Sequence, residues 1–287
     1  MQANQNIAPM LRGGVLWLLG FVSVYPPPKV DPGAVELPLV EHPEDRRRLY
    51  VEWEGRIWFL DTGYASTTCD TDFVDELGLR RRKTLSWSKG SGGLVRLEAT
   101  RLPAFELGEA HIGELRCAVR DLGSTSSIPD DVAGVLGMNL LGRFVLEVDL
   151  VDEVIRLHDP STWTEEGMEL RRDFGSWRLK APVTTAEDTR WALLDTGATG
   201  TWLEAAKMDL ELRGSDVIPV TGTGGTTVME VRYYRAEGLG IGGLPAEGLV
   251  VVRERDRGKE LVGMDMLSSY EGFWIDVREA ELGLSPR

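Results

Sequence analysis

The chain has 287 residues, 42% of them apolar, enough to bury a large core in one or two domains. Its net charge of −14 argues against a nucleic-acid backbone as partner. Two cysteines, Cys69 and Cys117, are too few for a disulfide framework, and they either pair or stay as buried thiols. The 33 glycines suit a turn-rich all-β chain.

Residues 13–24 form a short apolar run, ended by Pro26, Pro27 and Pro28. The run falls short of the about 20 residues of a membrane-spanning helix, but it has the length of a signal-peptide core. It reads as an export signal or a short membrane anchor, which implies an exported, periplasmic, extracellular or membrane-attached protein. No Ala-x-Ala-like cleavage site follows it. Residues 1–34 are assigned to this leader and a stiff Pro-rich spacer.

Strands are expected at residues 36–40, 49–53 and 56–60, with Glu54-Gly55 as a hairpin turn. The last strand ends in Asp61-Thr62-Gly63. Residues 71–78 read as a short helix, capped by Asp70 or Thr71 and stopped by Gly78. Gly90-Ser91-Gly92-Gly93 is a glycine-rich hairpin tip, and residues 132–141 form a second loop around Gly137. A closing hairpin is expected at residues 145–157. His42, His111 and His158 stand apart, lack metal-ligand spacing, and read as surface or loop residues.

After a polar linker at residues 159–167 the scheme repeats. A strand at residues 190–194 ends in Asp195-Thr196-Gly197, and residues 202–208 look helical. Gly222-Thr223-Gly224-Gly225 tips a second hairpin, and Leu261-Val262-Gly263 matches Val135-Leu136-Gly137. The order of signals is the same in both halves, and only the loop lengths drift. Two matched Asp-Thr-Gly motifs are far more specific than one, which is often an ordinary turn.

This combination resembles the aspartic proteases, most of all the retropepsin-like branch with two units fused in one chain, over roughly residues 35–287. The resemblance implies an all-β fold of two pseudo-symmetric acid-protease-like β-barrel lobes, at residues 35–158 and 168–287, around a central cleft. It implies that Asp61 and Asp195 form a catalytic dyad that shares a proton and activates a water. Thr62 and Thr196 would bond across the pseudo-two-fold axis, Gly63 and Gly197 would let each loop turn back on its carboxylate, and Gly137 and Gly263 would support the loops from behind. The flaps over an extended peptide or protein substrate would be Gly90, Ser91, Gly92 and Gly93 with Gly222, Thr223, Gly224 and Gly225. No metal or cofactor is needed, and two lobes in one chain imply a monomer. Tyr64 departs from the small residue expected after the first motif. It leaves a second reading open, a peptide-binding protein of the same fold with impaired turnover.

Overall fold

The computed structural model describes residues 25–90, 93–123, 128–186, 188–203, 210–222, 225–246, 250–252 and 260–287. The apolar run at residues 13–24 lies outside them. Among the described residues the helices are three short ones, Thr71–Glu76, Met138–Leu141 and Met264–Leu267, and the rest of the regular structure is β. No helix among them is long and apolar enough to cross a membrane.

The two halves are built in the same strand order. In the first the neighbours run Asp45–Trp53, Arg56–Leu60, Val132–Leu136, Thr68–Asp70, Leu115–Arg120, Gly93–Leu102 and Arg82–Gly90. In the second they run Leu179–Thr184, Thr189–Leu194, Leu261–Val262, Thr201–Trp202, Val250–Val252, Gly225–Ala236 and Leu210–Gly222. The sense of pairing is repeated too. Arg56–Leu60 pairs parallel with Val132–Leu136, and Thr189–Leu194 pairs parallel with Leu261–Val262. Both halves meet in a shared sheet, where Val145–Asp149 pairs antiparallel with Gly272–Asp276. One hydrophobic core runs through them, from Trp58 and Phe144 to Phe273 and Ile275. This is an all-β fold of acid-protease-like form.

Physical reasons for the elements are local. Trp58, Phe59 and Leu60 are buried in succession because their strand is central and covered on both faces, so its pattern is continuous rather than alternating. The Thr71–Glu76 helix starts at Asp70, whose Oδ1 accepts from the Asp72 N–H at 2.7 Å, and the chain leaves it through Gly78 at φ 64°. Both glycine-tipped hairpins form. Gly90 pairs with Gly93, and Gly222 with Gly225, while Ser91, Gly92, Thr223 and Gly224 lie outside the described residues.

Several expectations need correcting. Residues 132–141 are not a loop. They form a fully buried strand, Val132–Leu136, threaded between two others, then the helix Met138–Leu141. His42 is not a surface residue. It is 3% exposed, its Nε2 lies 2.9 Å from Asp131 Oδ1, and its ring packs 5.3 Å from Tyr50. The piece at residues 202–208 opens as strand Thr201–Trp202, and residues 204–209 lie outside the described residues. Residues 25–34 pack on the first half: Tyr25 is buried, and Val30–Asp31 pairs with Ala110–Ile112. Cys69 and Cys117, on neighbouring strands with Cα atoms 6.0 Å apart, form a disulfide.

Candidate active site

Two strand ends deliver the two Asp-Thr-Gly motifs to one place. The Asp61 N–H donates to the Leu136 carbonyl at 3.1 Å, and the Asp195 N–H to the Val262 carbonyl at 3.0 Å. Each aspartate thus starts its loop while still held in the sheet. The loop then turns so that the Gly63 N–H donates to Asp61 Oδ1 at 2.7 Å, and the Gly197 N–H to Asp195 Oδ1 at 3.0 Å.

The loops are locked to each other by the two threonines. Thr62 Oγ1 donates to the Leu194 carbonyl at 2.8 Å and accepts from the Thr196 N–H at 3.0 Å. Thr196 Oγ1 donates to the Leu60 carbonyl at 3.0 Å and accepts from the Thr62 N–H at 3.0 Å. Both threonines are buried, so these four bonds are made away from water and none of the groups is left unpaired.

The lock brings the carboxyls of Asp61 and Asp195 into hydrogen-bonding contact. The glycines make room for this approach. A Cβ at Gly63 would lie 2.5 Å from both carboxylate oxygens of Asp195, and a Cβ at Gly197 would collide with the Asp61 carboxyl. Asp61 is buried and Asp195 half-buried. Burial, then the Asp195 charge, pushes the Asp61 carboxyl well above the usual carboxylate range, with the Gly63 N–H and Arg48 opposing. Burial also raises Asp195, and its hydrogen bonds from Asp61 and the Gly197 N–H hold it back.

Behind each loop sits a matched brace. The Gly137 N–H donates to Thr67 Oγ1 at 3.2 Å, and the Gly263 N–H to Thr201 Oγ1 at 3.1 Å. The Met138 N–H reaches the Tyr64 carbonyl, and the Met264 N–H the Ala198 carbonyl, both at 2.8 Å. Gly137 passes so close to Ser66 and Thr67 that a Cβ would strike their backbone. The Tyr64 ring packs against the cluster of Tyr50, Phe59, Leu122 and Val135, and burial raises its phenol pKa. Arg120 hydrogen-bonds the Tyr64 side chain.

Sequence reasoning missed two arginines. Arg48 Nε donates to the Gly197 carbonyl at 2.8 Å, and Arg178 Nη1 to the Gly63 carbonyl at 3.2 Å. It also missed Thr67, Thr201, Asn139 and Asp265. The signal for the last two was present in the matched Met138-Asn139 and Met264-Asp265. Among the described residues no cluster of three His, Cys, Asp or Glu side chains is arranged to hold a metal.

Two carboxyls in contact, one more buried than the other, can hold a single proton between them and so offer a base and an acid side by side. Comparison with curated proteins found no match. Comparison with protein families shows that residues 57–140, which carry the first Asp-Thr-Gly and its brace, match the family described as aspartyl protease.

Proposed function

We propose that the chain is an aspartic endopeptidase whose catalytic dyad is Asp61 and Asp195. The observation that carries this reading is the crossed threonine lock, which holds two carboxyls in contact at the ends of two equivalent strands. The family match over residues 57–140 supports the same chemistry.

In this reading the shared proton sits on Asp61, the less exposed of the two acids, and the pair titrates as a unit. Asp195, as carboxylate, takes a proton from a water lying between the two, and the water oxygen attacks the peptide carbonyl carbon. Asp61 gives its proton to the carbonyl oxygen as the tetrahedral intermediate forms, so no full charge builds on that oxygen. Asp195 then passes its proton to the leaving nitrogen as the C–N bond breaks, and a hydroxyl of the collapsing intermediate returns its proton to Asp61, which restores the singly protonated pair. An extended peptide lies under the hairpins tipped by Gly90, Ser91, Gly92 and Gly93 and by Gly222, Thr223, Gly224 and Gly225, which act as flaps. The protein works as a monomer. It is exported, with residues 13–24 as signal or anchor, and the Cys69–Cys117 disulfide supports an oxidising compartment.

Tyr64 supports the second reading, a peptide-binding protein with impaired turnover, because its bulk stands beside Asp61. A fluorogenic peptide library assayed from about pH 3 to pH 7 separates the two, since a shared-proton pair gives a bell-shaped profile. Cleavage that falls by about 10³-fold or more in both Asp61→Asn and Asp195→Asn is the expected result. An Asp195→Asn protein as active as wild type removes the dyad. A wild type that binds a statine-type inhibitor without cleaving, together with a Tyr64→Ala variant that gains turnover, establishes the second reading.

A further inference from the structure

The two arginines that sequence reasoning missed have matching roles. Arg48 lies on the strand Asp45–Trp53 of the first half, and Arg178 just before Leu179–Thr184 of the second. Each is anchored to an acid of its own half: Arg48 Nη1 to Asp45 Oδ2 at 2.7 Å, and Arg178 Nη2 to Asp173 Oδ2 at 2.6 Å. The anchoring acids are themselves held, Asp45 by the Tyr50 hydroxyl at 3.0 Å and Asp173 by Lys180 Nζ at 3.7 Å. All four members of these ion pairs are mostly buried, with side chains 12–15% exposed. A buried guanidinium held this way is fixed in direction, and its remaining N–H groups have a defined target.

That target lies in the opposite half. Arg48 donates to the Gly197 carbonyl and Arg178 to the Gly63 carbonyl. The other end of each of these peptide groups faces a dyad carboxyl. The peptide joining Gly63 to Tyr64 presents its N–H to Asp61 Oδ1 at 3.2 Å. The peptide joining Gly197 to Ala198 presents its N–H to Asp195. A guanidinium on the carbonyl oxygen polarises the whole peptide and strengthens the N–H as a donor.

We propose that Arg48 and Arg178 are positioning residues of the dyad, each gripping the peptide that holds the opposite half's carboxylate and stabilising that carboxylate through one polarised amide. The proposal rests on the dyad reading above. Each arginine also acts through space on the carboxyl of its own half, since Arg48 opposes the rise of Asp61 and Arg178 that of Asp195. The two routes have the same sign. Both favour the ionised form of the pair, and both run through the same two side chains. Among the described residues, Tyr64 and its hydrogen-bond partner Arg120 also face the dyad.

The test is a titration that needs no turnover. The full chain carries carboxyl-¹³C aspartate, and the dyad signals are identified by their loss in Asp61→Asn and Asp195→Asn. Arg48→Gln and Arg178→Gln are expected to raise the apparent dyad pKa values by about half a pH unit or more, the scale for removing a nearby opposite charge. Arg101→Gln, at an exposed pair with Glu114, controls for net charge and is expected to leave them unmoved. Where a single variant folds poorly because Asp45 or Asp173 loses its partner, Asp45→Asn with Arg48→Gln, or Asp173→Asn with Arg178→Gln, removes the pair together. Arg48→Lys and Arg178→Lys keep the charge but lose the fork, and are expected to fall between. Dyad values that stay within about 0.1 pH unit of the Arg101→Gln control overturn the proposal. A peptide-cleavage profile run in parallel keeps the two ideas apart. If the titration shifts but wild type cleaves nothing, the protease reading fails and the arginine assignment stands. If wild type cleaves and the titration does not shift, the reverse holds.

Discussion

Asp265 holds in the second half the place that Asn139 holds in the first. Thr67 Oγ1 donates to Asn139 Oδ1 at 2.9 Å, and Thr201 Oγ1 donates to Asp265 Oδ1 at 2.7 Å. Each threonine then supports the glycine behind its aspartate loop. The neutral amide suits this position better than a carboxyl does. Asn139 is fully buried and uses both ends, with its amide nitrogen donating to the Arg116 carbonyl at 3.3 Å. Asp265 brings a charge into the same kind of place.

A stability prediction follows from that difference. Burial raises the Asp265 pKa, against opposing hydrogen bonds from Thr201 and the Met266 N–H. The folded protein therefore binds this proton more tightly than the unfolded chain does. Its contribution is fully present below the unfolded carboxyl value of about 4 and is lost as pH rises through the raised folded value. Asp265→Asn is expected to stabilise at pH 7 by about 1 kcal/mol, the scale of one hydrogen bond. The advantage should vanish below about pH 4, where wild type is protonated too. Urea denaturation at the two pH values measures it, and an advantage of equal size at both would contradict the account.

The Cys69–Cys117 disulfide predicts a loss of stability on reduction. It joins Thr68–Asp70 to Leu115–Arg120 across 48 residues of sequence, and both cysteines are fully buried. Closing a loop of that length restricts the unfolded chain by about 4 kcal/mol in the chain-entropy view. Cys69→Ala with Cys117→Ala should lower the unfolding free energy by several kcal/mol, near that figure plus a small packing loss. The proposed dyad needs no sulfur, so the proposed peptide cleavage should survive at low temperature. A change in the urea midpoint equivalent to less than about 1 kcal/mol would show that the bridge adds little.

Much of this site was legible in the sequence because its strongest signals are local. Leu60 and Leu194 end apolar runs, and an acid directly after such a run must stand at the rim of a buried strand. The doubled order of motifs then specified which acids meet. The arginines were hidden because their partners are set by the fold. Arg48 follows its acid by three residues and Arg178 by five, so the two ion pairs do not align as a repeat. The strand Val132–Leu136 was misread as a loop since it has no alternation and begins among polar residues, whereas its burial comes from one parallel and one antiparallel neighbour, both distant in sequence. His42 was misread for the same reason: a single polar side chain at a strand end gives no local sign of the Asp131 waiting for it.

The threonine lock makes the sharpest structural prediction. Thr62→Ala removes one hydroxyl that both donates to the Leu194 carbonyl and accepts from the Thr196 N–H, and it leaves those groups unpaired in a buried place. Two such groups are expected to cost about 2–4 kcal/mol. Thr196→Ala should cost a similar amount through the Leu60 carbonyl and the Thr62 N–H. Thr62→Ser and Thr196→Ser keep the oxygen and should stay within about 1 kcal/mol of wild type. The double alanine variant should lose less than the sum of the singles, because the four bonds form one network and the first loss already loosens the second. Its effect on catalysis should exceed its effect on stability, since the carboxyls meet only while the loops are locked. A double-mutant cycle in urea, run beside peptide cleavage, measures both. Strictly additive stability losses with unchanged cleavage would mean that the two loops are held together by something other than these threonines.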